Sequence, residues 1–407
     1  MNLPVSILLF GVIIVLTIMV RSVSGRFSIP PLIGFILMGV LLRLADTQSQ
    51  LLSLEMQKIF DYLAEIGVIA LLFRVGLESN FRGLIKQIRQ ASIIWVGNVF
   101  LSGSLAAVAA KYVMGLSLVQ SLFIGVALTA TSVGVSVSVW REAGALSSPT
   151  GELLVDVAEL DDISGIMLMV LLLSLTPALG GGFGPSLIKS GVMTLGLLLL
   201  KLIGFGILCL VFSVYIEPHV TEYFRALKRP MEPTLLITGF AIIIAALAGL
   251  LGFSFALGAF FAGLAFSRDP RAVRLDSSFE VIYDLFTPFF FIGIGLRIVP
   301  NSLLPALGPG TLLLAVAVLG KVLGTGLPSV LVTGWLETIL LSVSMIPRAE
   351  IAMIIMQRGH ELGEWAVPDR VFGAMVMVSL ASCLISPMVL KRLFKRWPQI
   401  ALARHGE

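Results

Sequence analysis

About thirteen apolar stretches of membrane-crossing scale succeed one another along this chain. They fall near residues 5–20, 29–45, 59–77, 91–113, 117–139, 151–177, 187–216, 234–251, 253–267, 280–298, 303–330, 336–357 and 367–390, the short one at 253–267 reading as tilted or half-buried. Within hydrocarbon every backbone polar group must be satisfied inside its own segment, so such a pattern folds as helices. Composition agrees: 57% of residues are hydrophobic and 13% charged, against ~45–50% and ~25% in ordinary soluble domains. The expectation is an all-α polytopic membrane protein with about 13 transmembrane helices.

Basic residues orient it. With the amino terminus outside, the inner loops receive most of them, including Arg82, Lys86 and Arg89, then Arg225, Lys228 and Arg229, then Arg268, Arg271 and Arg274, and finally Lys391, Arg392, Lys395, Arg396 and Arg404. An odd number of spans with a short cytoplasmic tail, 391–407, fits this bias. The net charge of +4 then reflects inner loops, with no nucleic-acid partner implied. The first stretch lacks a basic lead and a small-residue cleavage site, so it reads as a span and not as a signal peptide. Cys209 and Cys383 lie in apolar segments and form no disulfide framework or metal cluster. The chain reads as a single integral membrane domain without a soluble regulatory domain.

The sixth stretch carries Asp161 and Asp162 side by side. One ionised Asp at the centre of a membrane helix costs roughly 2.5–3.5 kcal/mol on insertion scales, so an adjacent pair marks a functional site. Two further segments hold residues a membrane helix avoids: 127–136, with Thr129, Thr131, Ser132 and Gly134, and 344–350, with Pro347, Arg348 and Glu350. Proline removes a backbone donor, and hydroxyl-rich runs re-satisfy unwound backbone, so both spans are predicted to be interrupted helices. If the seventh span (about 187–216) is a linker, spans one to six (about 1–177) and eight to thirteen (about 234–390) form two repeats, with the interrupted spans in matching positions. Inverted-repeat transporters place their substrate there. The plainer alternatives are a functionless proline kink, and hydroxyls used only for helix packing.

With these residues in hand, the chain resembles a cation:proton antiporter of the NapA/NhaA superfamily, in the monovalent cation:proton antiporter-2 group. The resemblance runs in order through Pro30-Pro31-Leu32-Ile33-Gly34, Glu65-Ile66-Gly67, Leu71–Glu78, the Thr-Ser run before Arg141-Glu142, Asp161-Asp162, Ala256–Gly263, Gly320-Lys321-Val322-Leu323-Gly324 and Pro347-Arg348-Ala349-Glu350. It implies an NhaA-like fold with two crossed discontinuous helices, and a homodimer whose core bundle moves against a dimerisation bundle. It also implies that Asp162 is the principal ion-binding carboxylate, that Asp161 pairs with Lys321, and that Thr131 and Ser132 at the first break help hold a dehydrated cation. Arg348 and Glu350 are the charged pair expected to neutralise helix ends at the second break.

Elementary chemistry supports the same roles. Adjacent carboxylates in a low-dielectric site repel, so a proton and a metal ion compete for one anionic position. Carboxylate and carbonyl oxygens suit a hard monovalent ion, Na+ first, with Li+ or K+ as alternatives. The expected function is a non-enzymatic, electrogenic antiporter in a bacterial inner membrane that needs no cofactor. An intramembrane aspartyl protease would draw its carboxylates from two helices, whereas these are neighbours about 100° apart on one helix. A Kef-type potassium efflux system would show Gln-Asp here and a nucleotide-binding domain. A sodium-coupled symporter is less well matched by a lysine at the site, and a non-transporting sensor would move no cation. Asp156 and Glu159 read as walls of an inner funnel, Arg74 as a snorkelling side chain, and Lys201 has no account. His219, His360 and His405 lie in loops or tails.

Overall fold

Long apolar segments broken at Pro and Gly dictate helices, and a computed structural model of the chain is helical throughout the residues it describes, with no strand among them. Those residues are 3–27, 30–49, 54–78, 81–146, 148–180, 185–219, 233–251, 253, 255–267, 276–299, 301 and 303–397. The basic residues from Arg225 to Arg229 and from Arg268 to Arg274, together with Arg404 and His405, lie outside them.

In order, the helices are α1 (Leu3–Phe27), α2 (Pro31–Ser49), α3 (Leu54–Glu78), α4 (Phe81–Val108), α5 (Leu118–Ala127), α6 (Val133–Glu142), α7 (Pro149–Gly180) and α8 (Pro185–Val211). Then follow α9 (Pro233–Leu250), α10 (Phe255–Phe266), α11 (Asp276–Leu296), α12 (Leu303–Val330), α13 (Trp335–Ser344), α14 (Glu350–Glu361) and α15 (Asp369–Arg396). Among the described residues, five segments are both long and apolar enough to cross a membrane: Arg89–Val113, Leu200–His219, Phe279–Leu296, Leu304–Val330 and Asp369–Arg396. α5, α6 and α13 have 10 residues each and α14 has 12, each too short to cross alone.

The chain divides into two compact units, one of 1–23, 34–80 and 181–297, the other of 24–33, 81–180 and 298–407. Each draws from both halves of the sequence, so compactness follows a different division from sequential repeats.

In the first unit α3 packs against α10 and α11. A Cβ on Gly76 would lie 2.2 Å from the Phe260 carbonyl oxygen, so glycine is what lets these backbones touch. Phe73, fully buried, meets Phe266 and Phe279 edge-on. Charges are locally matched: Arg21 pairs with Asp284, and Arg297 lies 3.0 Å from Asp61. Arg74 has its guanidinium 4.5 Å from the ring centroid of Tyr283, a cation–π seat in addition to any snorkelling. Lys201, unexplained by sequence, directs Nζ to the Leu251 carbonyl just past α9, at 3.4 Å. A cation there complements the helix's carbonyl end.

In the second unit α4 lies against α12, and α12 against α15. Gly320 and Gly324 form the α12 side of this contact: an added Cβ would sit 3.0 Å from the Cα of Ser102 and of Asn98 respectively. A separate apolar core gathers Trp140, Leu153, Leu154, Val157, Leu340, Met345 and Phe394. Pro149 opens α7, where its missing N–H costs nothing.

Candidate functional site at two interrupted helices

The second unit contains both predicted interruptions. α5 ends at Ala127 and α6 restarts at Val133, while α13 ends at Ser344 and α14 restarts at Glu350. The breaks touch. Ser132 N–H donates to the Pro347 carbonyl at 2.9 Å, Ser136 Oγ donates to the Ser344 carbonyl at 2.7 Å, and Trp140 Nε1 donates to Ser344 Oγ at 2.8 Å. Pro347 has no N–H to continue its helix, and Thr129 Oγ1 turns back onto the Val126 carbonyl at 2.8 Å.

Four helix ends therefore meet inside the protein, and two charges serve them. Arg348, fully buried, donates through Nη1 to the Ala130 carbonyl, to Thr131 Oγ1 at 3.3 Å and to the Met345 carbonyl at 3.4 Å. Those acceptors lie at the carbonyl ends of α5 and α13, where the helix dipole is negative. Glu350 is the first residue of α14 and accepts from Ser132 Oγ at 2.6 Å, beside the amino-terminal ends of α14 and α6. Sequence reasoning placed Arg348 and Glu350 together as the charged pair of the second break; Arg348 reaches two carbonyl ends, and Glu350 accepts from Ser132 beside two amino-terminal ends.

Asp161 is fully buried and accepts from three side chains. Lys321 Nζ reaches Oδ2 at 2.9 Å, Thr131 Oγ1 reaches Oδ2 at 2.7 Å, and Asn98 Nδ2 lies 2.7 Å from both oxygens. Lys321, likewise fully buried, also donates to the Thr129 carbonyl at 2.6 Å, which ties α12 to the first break. A buried charge pair holds only if its remaining hydrogen-bonding capacity is met, and here the surroundings meet it. Asp162 differs: its Oδ1 is buried with no hydrogen-bond partner. Two identical neighbours in sequence thus have opposite environments.

The geometry gathers Asp161, Lys321 and Thr131 into one cluster, with Asp162 adjoining through the backbone. Ser132 turns to Glu350 instead, so its hydroxyl serves the helix ends. Asp156 and Glu159 are half-buried on the preceding turns of α7. His219 and His360 keep local partners, the carbonyls of Tyr215 at 2.8 Å and Val367 at 3.0 Å. Sequence reasoning missed Asn98; the available signal was a lone amide in the fourth apolar stretch, where polar side chains seek partners on other helices.

In a helical membrane protein, a buried, matched carboxylate–lysine pair beside interrupted helices is the arrangement of a site that handles charge. More specifically, residues 11–396 match the family described as sodium/hydrogen exchanger, transmembrane, and the chain belongs to that family. It is 26% identical to the high-affinity Na(+)/H(+) antiporter NhaS3 of Synechocystis sp., covering 92% of this chain and 86% of that protein. It is 29% identical to a Na(+)/H(+) antiporter of Enterococcus hirae, covering 94% and 97%. The sodium proton antiporter MjNhaP1 of Methanocaldococcus jannaschii shares the fold, with a TM-score of 0.71 at 16% identity over the whole of both chains.

Proposed function

We propose that this chain exchanges a monovalent cation, Na+ in the first instance, for protons, and that Asp162 is the carboxylate for which the two compete. The observation that carries the reading is the contrast at the acidic pair. Asp161 is saturated by Lys321, Thr131 and Asn98, whereas Asp162 Oδ1 has no partner and is free to take a cation or a proton. Thr131 and the carbonyls of the first break supply further oxygen atoms of the kind a hard ion prefers. Arg348 and Glu350 stabilise the helix ends around the ion.

On this reading about thirteen spans, counted with each interrupted pair as one, form two inverted repeats, with the amino terminus outside and the carboxyl terminus in the cytoplasm of a bacterial inner-membrane homodimer. The division into two compact units supports an elevator-type cycle in which the unit carrying Asp162 moves. Lys321 carries a second proton, and exchange is electrogenic.

The test is proton flux in proteoliposomes. Addition of Na+, Li+ or K+ to vesicles with an imposed pH gradient should dissipate it, with the half-saturating concentration rising as protons are added. If no alkali cation dissipates the gradient, the antiport reading fails. A requirement for a co-transported solute would point to a symporter instead.

A further inference from the structure

We propose that Asn98 is a positioning residue that reserves Asp161 for Lys321, leaving the transported cation a site with one carboxylate instead of two. The inference rests on the antiport reading above and deepens it. Asp161 Oδ2 receives Lys321 and Thr131, but the sole donor to Oδ1 among the described residues is the Asn98 amide, which lies 2.7 Å from both oxygens.

The amide is itself held in place. Thr325 Oγ1 donates to Asn98 Oδ1 at 3.3 Å, which sets the amide's orientation with Nδ2 toward the carboxylate. Ser102 Oγ donates to the Asn98 carbonyl at 2.6 Å. Gly324 brings the α12 backbone against Asn98, so the residue is fully buried and has no room to turn away. The charged groups around this point are Glu159, Asp161 and Asp162 on α7, Lys321 on α12, and Arg348 and Glu350 at the second break. None of them donates to Asp161 Oδ1.

Without that donor, Asp161 Oδ1 would be a carboxylate oxygen left open to a cation resting on Asp162, the next residue of α7. Two carboxylates bind a monovalent ion more tightly and release it more slowly. Asn98 therefore sets affinity against turnover by competing with the cation for Asp161.

Asn98→Leu keeps the branched shape and removes the donor. In proteoliposomes its half-saturating Na+ should fall roughly tenfold, the size expected when a charge-assisted hydrogen bond no longer competes with the ion, and its maximal rate should fall as well. Independently of transport, NaCl should raise the melting temperature of the purified variant at lower concentrations than it does for wild type, with choline chloride as the ionic-strength control. Thr325→Val, which only loosens the amide, should shift both readouts the same way by less, and it decides the matter if Asn98→Leu does not fold. An unchanged or weakened Na+ affinity in a folded variant overturns the inference and leaves Asn98 as helix packing. A wild-type protein that exchanges no cation sinks the antiport reading and this inference with it, whereas wild-type exchange with unshifted variants sinks this inference alone.

Discussion

Arg348→Ala should damage the protein's stability more than its handling of cations. The side chain is fully buried and donates to two helix-end carbonyls and one hydroxyl, with the Ala130 contact the shortest and those to Thr131 and Met345 longer and weaker. Hydrogen bonds to a charged group contribute ≈1.5–3 kcal/mol each when well formed. One strong and two weak contacts, plus the cavity left by the side chain, amount to about 3–5 kcal/mol. The carbonyl ends of α5 and α13 would then face each other with no cation between them. Fluorescence-monitored melting of the detergent-purified protein should register the loss as a midpoint lower by several degrees, while half-saturating Na+ in the surviving fraction changes less than threefold. Arg348→Lys, which keeps the charge but loses the fork, should recover part of the stability. Unchanged melting together with a large affinity shift would refute this reasoning and move Arg348 from helix-end support to the ion site.

Three other outcomes follow from the same geometry. Asp162→Asn retains shape and removes the exchangeable charge, so proton flux should vanish while expression and melting stay close to wild type; wild-type-like exchange would remove this carboxylate from the cycle. Lys321→Gln removes a titrating group, and any residual exchange should lose its response to membrane potential, which acts at ~2.3 kcal/mol per charge per 100 mV, whereas wild type should give transport currents on a solid-supported membrane. Gly324→Val forces branched atoms against the α4 backbone, where a Cβ alone would already sit 3.0 Å from the Asn98 Cα and 3.1 Å from its carbonyl oxygen. Such crowding costs about 1–3 kcal/mol or more, and unaltered stability would show that α4 and α12 are looser than described.

The segments with helix-hostile chemistry were the most legible. Pro347 lacks a backbone donor wherever it stands, and a pair such as Asp161-Asp162 is costly in any apolar segment, so both announce themselves without knowledge of neighbours. Helix boundaries at the breaks were readable within a few residues for the same reason. Partners were not. Asn98 lies 63 positions from Asp161, and an amide in a membrane helix serves packing as readily as a site. Lys201 is accounted for by the Leu251 carbonyl, 50 positions away in the sequence. The groups that Arg348 and Glu350 serve were equally hidden: Arg348 donates to Ala130, Thr131 and Met345, and Glu350 accepts from Ser132. Local cost is visible in a sequence, whereas its relief comes from residues that only the fold brings near.

The hydrogen bond from Ser132 N–H to the Pro347 carbonyl joins the two breaks by main-chain atoms. Because neither atom belongs to a side chain, the one substitution that removes either is Ser132→Pro, which takes away the N–H. Length changes are another matter. One residue added to or taken from 128–132 or 345–349 would rotate the following half-helix by about 100° and unseat all four ends together. Apart from Thr131 and Arg348, whose side chains hold the site, these two five-residue links should accept changes of side chain more readily than insertions or deletions, unlike ordinary surface loops, which tolerate both. A scan of single-residue insertions along the chain should show two narrow intolerant windows, far apart in sequence and coincident in space.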